Sequence, residues 1–305
     1  MFADSCPVCF NVNAASLERL ITARTRALMP VHLFGQPADM DAVMAAARKH
    51  NLPVIEDAAQ AFGAAYGGKQ AGSMGTFGVF SFFPSKNLGG FGDAGLLVTS
   101  DNALAEKARL LRAHGAHLKY FHKTVGGNFR LDPLHAALLA VKLRRLEEYR
   151  RKRAGNACYY NAKLGGIEGA AVNCAAGDAC GDEPERPELR GRAAFLLAPA
   201  PHQGRGHIWN QYTVRVVAGD KWSRSESPRD ALRTFLQTRE IGSEIYYPLA
   251  LHRQECFASA GPHAAAPVSD RLAAQCVSLP VFPELTVEEK DAVAAALADF
   301  LEENR

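Results

Sequence analysis

Three side chains with complementary chemistry follow the ends of short apolar runs. Asp57 closes one run, and Ser81 and Lys86 lie in the segment that ends the next, Ser81-Phe-Phe-Pro-Ser-Lys86. Residues at the carboxyl ends of strands in an open α/β sheet converge on the ligand crevice, so these side chains are predicted to face one site. A lysine can form an imine, an aspartate can keep a pyridine nitrogen protonated, and a serine can bind phosphate. The set favours an aldehyde cofactor with a pyridine ring and a phosphate.

A glycine-rich stretch, Gly89-Gly-Phe-Gly-Asp-Ala-Gly95, follows directly after Lys86. Its letters match the G-x-G-x-x-G fingerprint of dinucleotide-binding proteins, but a strand is predicted after it where that fingerprint requires a helix. NAD binding is therefore not indicated, and the glycines are interpreted as letting the backbone turn tightly beside the lysine. Taken singly, a lysine is usually a surface charge and Asp57 could be only a helix cap.

Length and composition limit the classes of protein that come into question. The chain has 305 residues, of which 48% are apolar and 22% charged, and its net charge is +3. The length and composition predict a soluble globular protein with more than one hydrophobic core. The near balance of acidic and basic side chains gives no strong positive electrostatic field of the kind that would favour nucleic acid binding. No membrane span or signal peptide is predicted. Seven irregularly spaced cysteines favour reduced thiols in the cytoplasm, and the lone Cys6-x-x-Cys9 pair predicts no metal site.

The elements that must position these residues alternate between strands and helices in the first half of the chain. This pattern predicts an α/β layer with a largely parallel sheet. Strands are predicted at 27–34, 53–57, 77–83 and 95–100, and helices at 15–25, 39–50 and 102–114.

The second half of the chain has a different pattern of predicted secondary structure. A long helical stretch covers 132–164, and 171–206 is rich in Gly, Pro, Ala and charge, which predicts a long, weakly ordered insertion. A closing helix runs from Thr286, its N-cap, with Glu289 at the capping-box position. We therefore predict a large domain over 1–152 and a small α+β domain over 153–305.

Five sequence motifs of this chain resemble those of a known enzyme family. Residues 11–305 resemble the DegT/DnrJ/EryC1/StrS family of sugar aminotransferases, which have the type I fold of pyridoxal-phosphate enzymes with a large, mostly parallel domain and a small α+β domain. The matching motifs are Pro30-Val-His-Leu-Phe-Gly35, Ile55-Glu-Asp-Ala-Ala-Gln60, Ser81-Phe-Phe-Pro-Ser-Lys-Asn-Leu88, Gly126-Gly-Asn-Phe-Arg-Leu131 and Ile245-Tyr-Tyr-Pro-Leu-Ala-Leu-His252.

The resemblance implies a role for each residue of the cofactor site. Lys86 would form the Schiff base with pyridoxal 5′-phosphate and move the proton during transfer. Asp57 would pair with the pyridine nitrogen, Gln60 would lie by the ring, Ser81 would bind the phosphate, and Asn128 would reach the cofactor of the neighbouring subunit. The resemblance thus implies a homodimer with shared active sites.

The resemblance also implies substrates. An amino acid, in the family usually L-glutamate, would donate the amino group, and a nucleotide-linked keto sugar would accept it. A branch of the family that removes a hydroxyl replaces the lysine by histidine, so Lys86 favours transamination. Residues expected near the sugar are Tyr246, Tyr247 and His252. His207 and Tyr212 are further candidates, but each is equally well interpreted as an ordinary strand residue.

The chain departs from the family at its beginning. The family's N-terminal block, with a Gly-Thr segment that grips the cofactor phosphate at a helix N-terminus, has no match upstream of Asp57. The chain is therefore expected to lack that block. A mis-called start or gene fragment, a split protein completed by another chain, and a catalytically silent relative that acts at most as a binding or assembly module remain as explanations.

Overall fold

The computed structural model describes residues 1–173, 191–260 and 263–305. In these ranges the helices are α1 (Ala14–Arg19), α2 (Met40–Lys49), α3 (Asn102–Arg112), α4 (Pro133–Leu143), α5 (Leu146–Leu164), α6 (Pro228–Thr238), α7 (Pro267–Gln275) and α8 (Val287–Glu303). The strands are β1 (Ile55–Asp57), β2 (Ala65–Tyr66), β3 (Lys69–Gln70), β4 (Phe77–Ser81), β5 (Gly95–Val98), β6 (Ala116–Leu118), β7 (Phe121–His122), β8 (Ala170–Asn173), β9 (Ala194–Pro199), β10 (Tyr212–Ala218) and β11 (Cys276–Leu279).

The first sheet carries the strand ends that position the predicted site. Its order is β1-β4-β5, with β1 parallel to β4 and β4 antiparallel to β5. The segment before it lies parallel to β1 through two isolated bridges, Leu28 to Val54 and Val31 to Asp57. The strand predicted over 27–34 is therefore reduced to two bridges, because the chain turns into a short 3-10 helix at Leu33–Gly35.

Neighbouring residues of β1 point to opposite sides of the sheet, as the pleat requires. Glu56 is fully buried and accepts hydrogen bonds of 2.5 to 2.8 Å from three backbone N–H groups in the turn 72–75. His32 Nε2 lies 3.0 Å from the same carboxylate, and His32 Nδ1 accepts from the Ala38 N–H, so Nε2 is the donor. Glu56 thereby links the turn 72–75 and the segment around His32 to β1, while Asp57 beside it faces the other way.

Replacing Glu56 by alanine should lower the free energy of unfolding by about 3 kcal/mol, because His32 and three N–H groups lose a buried acceptor. Burial alone would raise the pKa of the Glu56 carboxyl, but hydrogen bonds from His32 and the backbone lower it below its usual value. This stabilisation is therefore present above the unfolded-state pKa and is lost as the pH falls through the folded-state pKa. Urea unfolding should show that the difference in free energy of unfolding between wild type and variant is smaller at about pH 3 than at about pH 7.

The matched control is Glu18→Ala, which removes an exposed carboxylate that pairs with Lys49. It should leave the urea midpoint nearly unchanged, since exposed ion pairs contribute little. A Glu56→Ala midpoint equal to that of the control would contradict the structural role of Glu56.

The second sheet has the order β11-β10-β9-β8, with β10 antiparallel to both neighbours and β8 parallel to β9. Helices α5, α6 and α8 pack against it around the largest apolar cluster of the described residues. Tyr212 is fully buried in this cluster, and its hydroxyl donates to Asn161 Oδ1 over 2.7 Å. Tyr212 is therefore a core residue of the second sheet.

Two features of the second half differ from the sequence prediction. The helix expected over 132–164 is two helices, α4 and α5, separated at Arg144 and Arg145. The weakly ordered insertion expected over 171–206 contains β9, because its apolar run is buried on both faces between β8 and β10. Residues 174–190 of that insertion lie outside the described residues. The division into domains at residue 152 stays a prediction.

The start of α8 follows the sequence closely. Thr286 Oγ1 accepts from the Glu289 N–H over 3.1 Å, and Glu289 Oε2 accepts from the Thr286 N–H over 2.8 Å. The predicted capping box is therefore confirmed. None of the helices within the described ranges has the length and apolar character needed to cross a bilayer.

Candidate active site

A cleft of about 990 Å³ opens beside the carboxyl end of β1. Most of its lining comes from residues 1–34, and Asp57, Gln60, Lys86, the segment 246–254 and α7 complete it. Six of the side chains predicted from the sequence line it: Asp57, Gln60, Lys86, Tyr246, Tyr247 and His252. Residues separated by almost 200 positions in the chain thus meet in one cavity.

Asp57 is placed by the end of β1. Its backbone N–H donates to the Pro30 carbonyl and its carbonyl accepts from the His32 N–H, each over 2.9 Å. Its carboxylate oxygen Oδ1 accepts from the Ala59 N–H over 3.0 Å. The carboxylate is half-buried in the cleft wall, where its charge attracts the amine of Lys86.

Lys86 lies in the tight turn after β4. Its N–H donates to the Phe83 carbonyl over 2.9 Å, and the neighbouring Asn87 side chain donates to the Ile208 carbonyl over 3.0 Å. A Cβ added at Gly89 would lie 2.2 Å from the Pro84 carbonyl oxygen, so only glycine fits there. The interpretation of these glycines as formers of a tight turn agrees with this geometry.

The environment of Lys86 changes the affinity of its amine for a proton. Burial lowers the pKa of Lys86 below its usual value, and the negative charge of Asp57 opposes part of that shift. A lower pKa raises the fraction of neutral amine, which is the nucleophilic form. The cleft therefore holds a lysine of lowered pKa within the electrostatic influence of a carboxylate.

Gln60 connects the two walls of the cleft. Its Oε1 accepts from the Phe34 N–H over 2.6 Å, and its Nε2 donates to the Tyr247 hydroxyl over 3.1 Å. Burial raises the pKa of Tyr247, and the neighbouring Tyr246 and Asp57 raise it further. The hydrogen bond from Gln60 lowers this pKa but offsets only part of the rise. The Tyr247 phenol therefore stays protonated and keeps its own O–H to donate.

Two predicted residues lie away from the cleft lining. Ser81 is half-buried at the end of β4, where its hydroxyl accepts from the Phe83 N–H over 3.2 Å. Asn128 is exposed beyond α3, and its Oδ1 accepts from Arg130 Nε over 3.0 Å. Neither is among the described residues that line the cleft, and their roles toward a phosphate remain predictions.

His207 also lies outside the cleft lining formed by the described residues. Its ring stacks on Trp209 with centroids 3.9 Å apart, and its Nδ1 accepts from the Trp209 N–H over 2.9 Å. Burial lowers the pKa of His207 to about 3, so the ring is neutral at physiological pH. Its geometry is that of a packed aromatic residue, and its role near the sugar stays a prediction.

Sequence reasoning missed residues that shape the cleft without taking part in the motifs. Asn11 is buried, and it accepts from the Leu33 N–H over 2.8 Å and donates to the Gln36 carbonyl over 3.0 Å. These contacts hold the turn that presents Phe34 to Gln60. No signal in one sequence marks Asn11, because a single polar residue in an apolar stretch has no spacing pattern.

Comparison with known proteins finds one matching family and several related sequences. The sequence matches the model of the DegT/DnrJ/EryC1/StrS aminotransferase family over residues 1–179 and 186–298. The chain is 40% identical to a protein named pleiotropic regulatory protein from Geobacillus stearothermophilus, over 98% of this chain and 72% of the relative. It is 38% identical to the UDP-N-acetyl-3-dehydro-α-D-glucosamine 3-aminotransferase of Acidithiobacillus ferrooxidans, over 97% of this chain and 70% of the relative.

A solved structure shows the same fold. The crystal structure of DesV from S. venezuelae in complex with a ketimine intermediate superposes with a TM-score of 0.82 at 34% identity. The match covers 98% of this chain and 71% of that one. The predicted fold class, that of the sugar aminotransferases with their mixed α/β architecture, is confirmed.

Proposed function

The chain belongs to the DegT/DnrJ/EryC1/StrS aminotransferase family, and we propose that it transfers an amino group from an amino acid to a nucleotide-linked keto sugar by means of pyridoxal 5′-phosphate bound to Lys86. One observation carries the proposal. A half-buried lysine with a lowered pKa shares a cleft with a carboxylate and a Gln60–Tyr247 hydrogen bond. Such a set has the groups that amino transfer requires.

The described residues fit the cofactor by their chemistry. Pyridoxal phosphate supplies an aldehyde that binds a lysine amine covalently and a pyridine ring that accepts electrons. Lys86 would hold the aldehyde carbon, and the Asp57 carboxylate would keep the pyridine nitrogen protonated. The Gln60 side chain would lie against the ring, and the Ser81 hydroxyl would bind the phosphate.

Each residue then has a distinct task during the reaction. Lys86, once released as a free amine, would carry the proton between cofactor and substrate carbon, for which its lowered pKa suits it. Asp57 would keep the pyridine nitrogen protonated, and the positive charge on that nitrogen lets the ring accept electrons. Tyr247, held by Gln60 and still protonated, would donate its O–H to a substrate oxygen.

The substrate class rests on the relatives. Three of them are named as aminotransferases or transaminases of UDP- or dTDP-linked sugars, and a fourth is named GDP-perosamine synthase. We extend this class to the present chain, with L-glutamate as the amino donor. Tyr246 and His252, which line the cleft beside Tyr247, would border the sugar.

A large apolar surface supports a homodimer. Most large apolar side chains that are exposed in the described ranges lie between residues 83 and 143, and soluble monomers rarely expose such patches. The most exposed of them are Phe91, Tyr120, Phe121, Val125, Phe129, Leu134 and Val141. The exposed Asn128 lies in the same stretch, so it would lie at or near the contact with a second copy docked there.

Replacing Val141 by glutamate should weaken the dimer, because a charge would be buried in the apolar contact of α4. Val141 is 67% exposed in one chain, so the change should not disturb folding of the monomer. We expect sedimentation velocity to show a wild-type dimer and a Val141→Glu species of half that mass. The matched control is Val287→Glu on α8, where valine is 53% exposed. A control that dissociates equally would contradict the proposed interface.

The function itself is tested with the purified protein, pyridoxal phosphate, L-glutamate and a panel of nucleotide-linked keto sugars. Mass spectrometry should detect an aminated nucleotide sugar together with 2-oxoglutarate. No aminated product with any sugar or amino donor would contradict the proposal and favour a catalytically silent family member.

A further inference from the structure

The segment 207–211 is fastened to the turn that carries Lys86. Asn87, the residue after Lys86, is buried, and its Nδ2 donates to the Ile208 carbonyl over 3.0 Å. The Ile208 N–H donates in turn to the Gly35 carbonyl over 3.0 Å. The position of the Lys86 turn therefore depends on where the Ile208 backbone lies.

Arg153, in the middle of α5, holds the next two residues of the same segment. Its Nη1 donates to the Trp209 carbonyl over 3.0 Å and to the Asn210 carbonyl over 3.4 Å. The side chain is buried, and burial lowers the pKa of Arg153 to about 10 although the charge of Glu284 opposes that shift. The guanidinium is still charged at neutral pH, and hydrogen bonds from a charged donor are stronger than neutral ones.

The backbone beside these contacts has an unfavourable conformation. Trp209 has a φ of 54°, in the left-handed region that residues with a side chain seldom adopt. Such a conformation persists only where surrounding contacts impose it. Loss of the Arg153 hydrogen bond would let Trp209 relax and would move the Ile208 carbonyl before it in the chain.

Neither of the two anchoring side chains is fully paired. Asn87 Oδ1 and Arg153 Nε are buried without a hydrogen-bond partner among the described residues. Buried polar atoms of this kind cost stability, so apolar residues of similar size could stabilise the fold as well. Apolar residues could not, however, fix the carbonyls of the segment 207–211 at a defined distance from the Lys86 turn.

We propose that Asn87 and Arg153 are positioning residues that act together through the segment 207–211 to fix the turn of Lys86, and with it the place of the Lys86 amine in the cleft. The effect on amino transfer rests on the proposed function. The place of the amine is a property of the protein without cofactor, so it can be tested separately.

The test measures the reactivity of the Lys86 amine in the protein without cofactor. Mass spectrometry follows the rate at which acetic anhydride acetylates Lys86 at a series of pH values, and the midpoint reports the loss of the proton. Burial keeps the pKa of Lys86 below its usual value, so a turn released toward solvent should raise this midpoint. We expect a rise of about half a pH unit or more in Asn87→Ala. Arg153→Met, which has a similar length but no donor, should shift it in the same direction.

The double variant should shift the midpoint no further than the larger single shift, because both side chains act through one segment. The matched control is Asn156→Ala, which removes a buried asparagine of α5 that donates to the Phe282 carbonyl over 2.8 Å, outside the segment 207–211. It should lower the thermal unfolding midpoint as Asn87→Ala does and leave the Lys86 midpoint unchanged. If Arg153→Met does not fold, the comparison of the two asparagine variants still decides the role of Asn87.

Unshifted Lys86 midpoints in the variants, an equal shift in the control, or shifts that add in the double variant would overturn the inference. Amino transfer gives a second readout. In Asn87→Ala kcat should fall about tenfold while KM for the amino donor changes little, because a misplaced amine slows proton transfer more than binding. An unchanged kcat would also contradict the inference. A wild type that transfers no amino group would instead refute the proposed function, while the acetylation midpoints would still decide the roles of Asn87 and Arg153.

Discussion

Replacing Lys86 by alanine should lower the rate of amino transfer by about 10³-fold or more, because covalent binding of the cofactor and proton transfer both depend on its amine. The variant should also lose the visible absorption that wild-type protein gains on mixing with pyridoxal phosphate. Stopped-flow absorbance and product analysis measure the two effects on one preparation.

The structure predicts that this variant folds normally. Lys86 is half-buried, and burial disfavours its charged form, so removing the amine should cost little stability even though its attraction to Asp57 is lost. Lys86→Arg keeps a positive charge but has no nucleophilic amine, and it should be as inactive as the alanine variant. Lys69→Ala serves as the control, since Lys69 is an exposed lysine on β3. Activity retained in Lys86→Ala would refute the assignment of the covalent lysine.

Replacing Asp57 by asparagine should lower kcat by about 10²-fold or more, because a neutral amide cannot stabilise a protonated pyridine nitrogen. The side chains have nearly the same shape, and the hydrogen bond from the Ala59 N–H can be kept by the amide oxygen. The loss should therefore fall on the chemical step, and the thermal unfolding midpoint should hardly move.

The Asp57→Asn variant carries a second signature in its pH dependence. The negative charge of Asp57 raises the pKa of Lys86 against the effect of burial, so its removal should lower that pKa further. Binding of pyridoxal phosphate should then persist to lower pH than in wild type, because more of the amine is neutral. An unchanged pH profile would contradict the electrostatic contact between Asp57 and Lys86.

Local patterns predicted the parts of the molecule that depend on neighbouring residues. The strand ending at Asp57, the tight glycine turn after Lys86 and the capping box of Thr286 all follow from short segments. The motif residues Gln60 and Tyr247 were predicted near one site, and the structure joins them by a direct hydrogen bond. These features need little knowledge of the rest of the chain.

Contacts between distant segments could not be predicted in the same way. Asp270 is an ordinary acidic residue in the first turn of a helix until the fold brings it to His252, 18 positions earlier in the chain. The buried strand β9 is hidden in the sequence by flanks rich in glycine and charge, and its place between β8 and β10 shows why it is ordered. Long-range packing overrides local composition in both cases.

The covalent state of Lys86 tests the central claim most directly. The protein is incubated with pyridoxal phosphate, reduced with borohydride, digested and measured by mass spectrometry. We predict one modified peptide, which carries the phosphopyridoxyl group on Lys86 and is missing from the Lys86→Ala variant. An unmodified Lys86, or the label on another lysine, would contradict the account of this site.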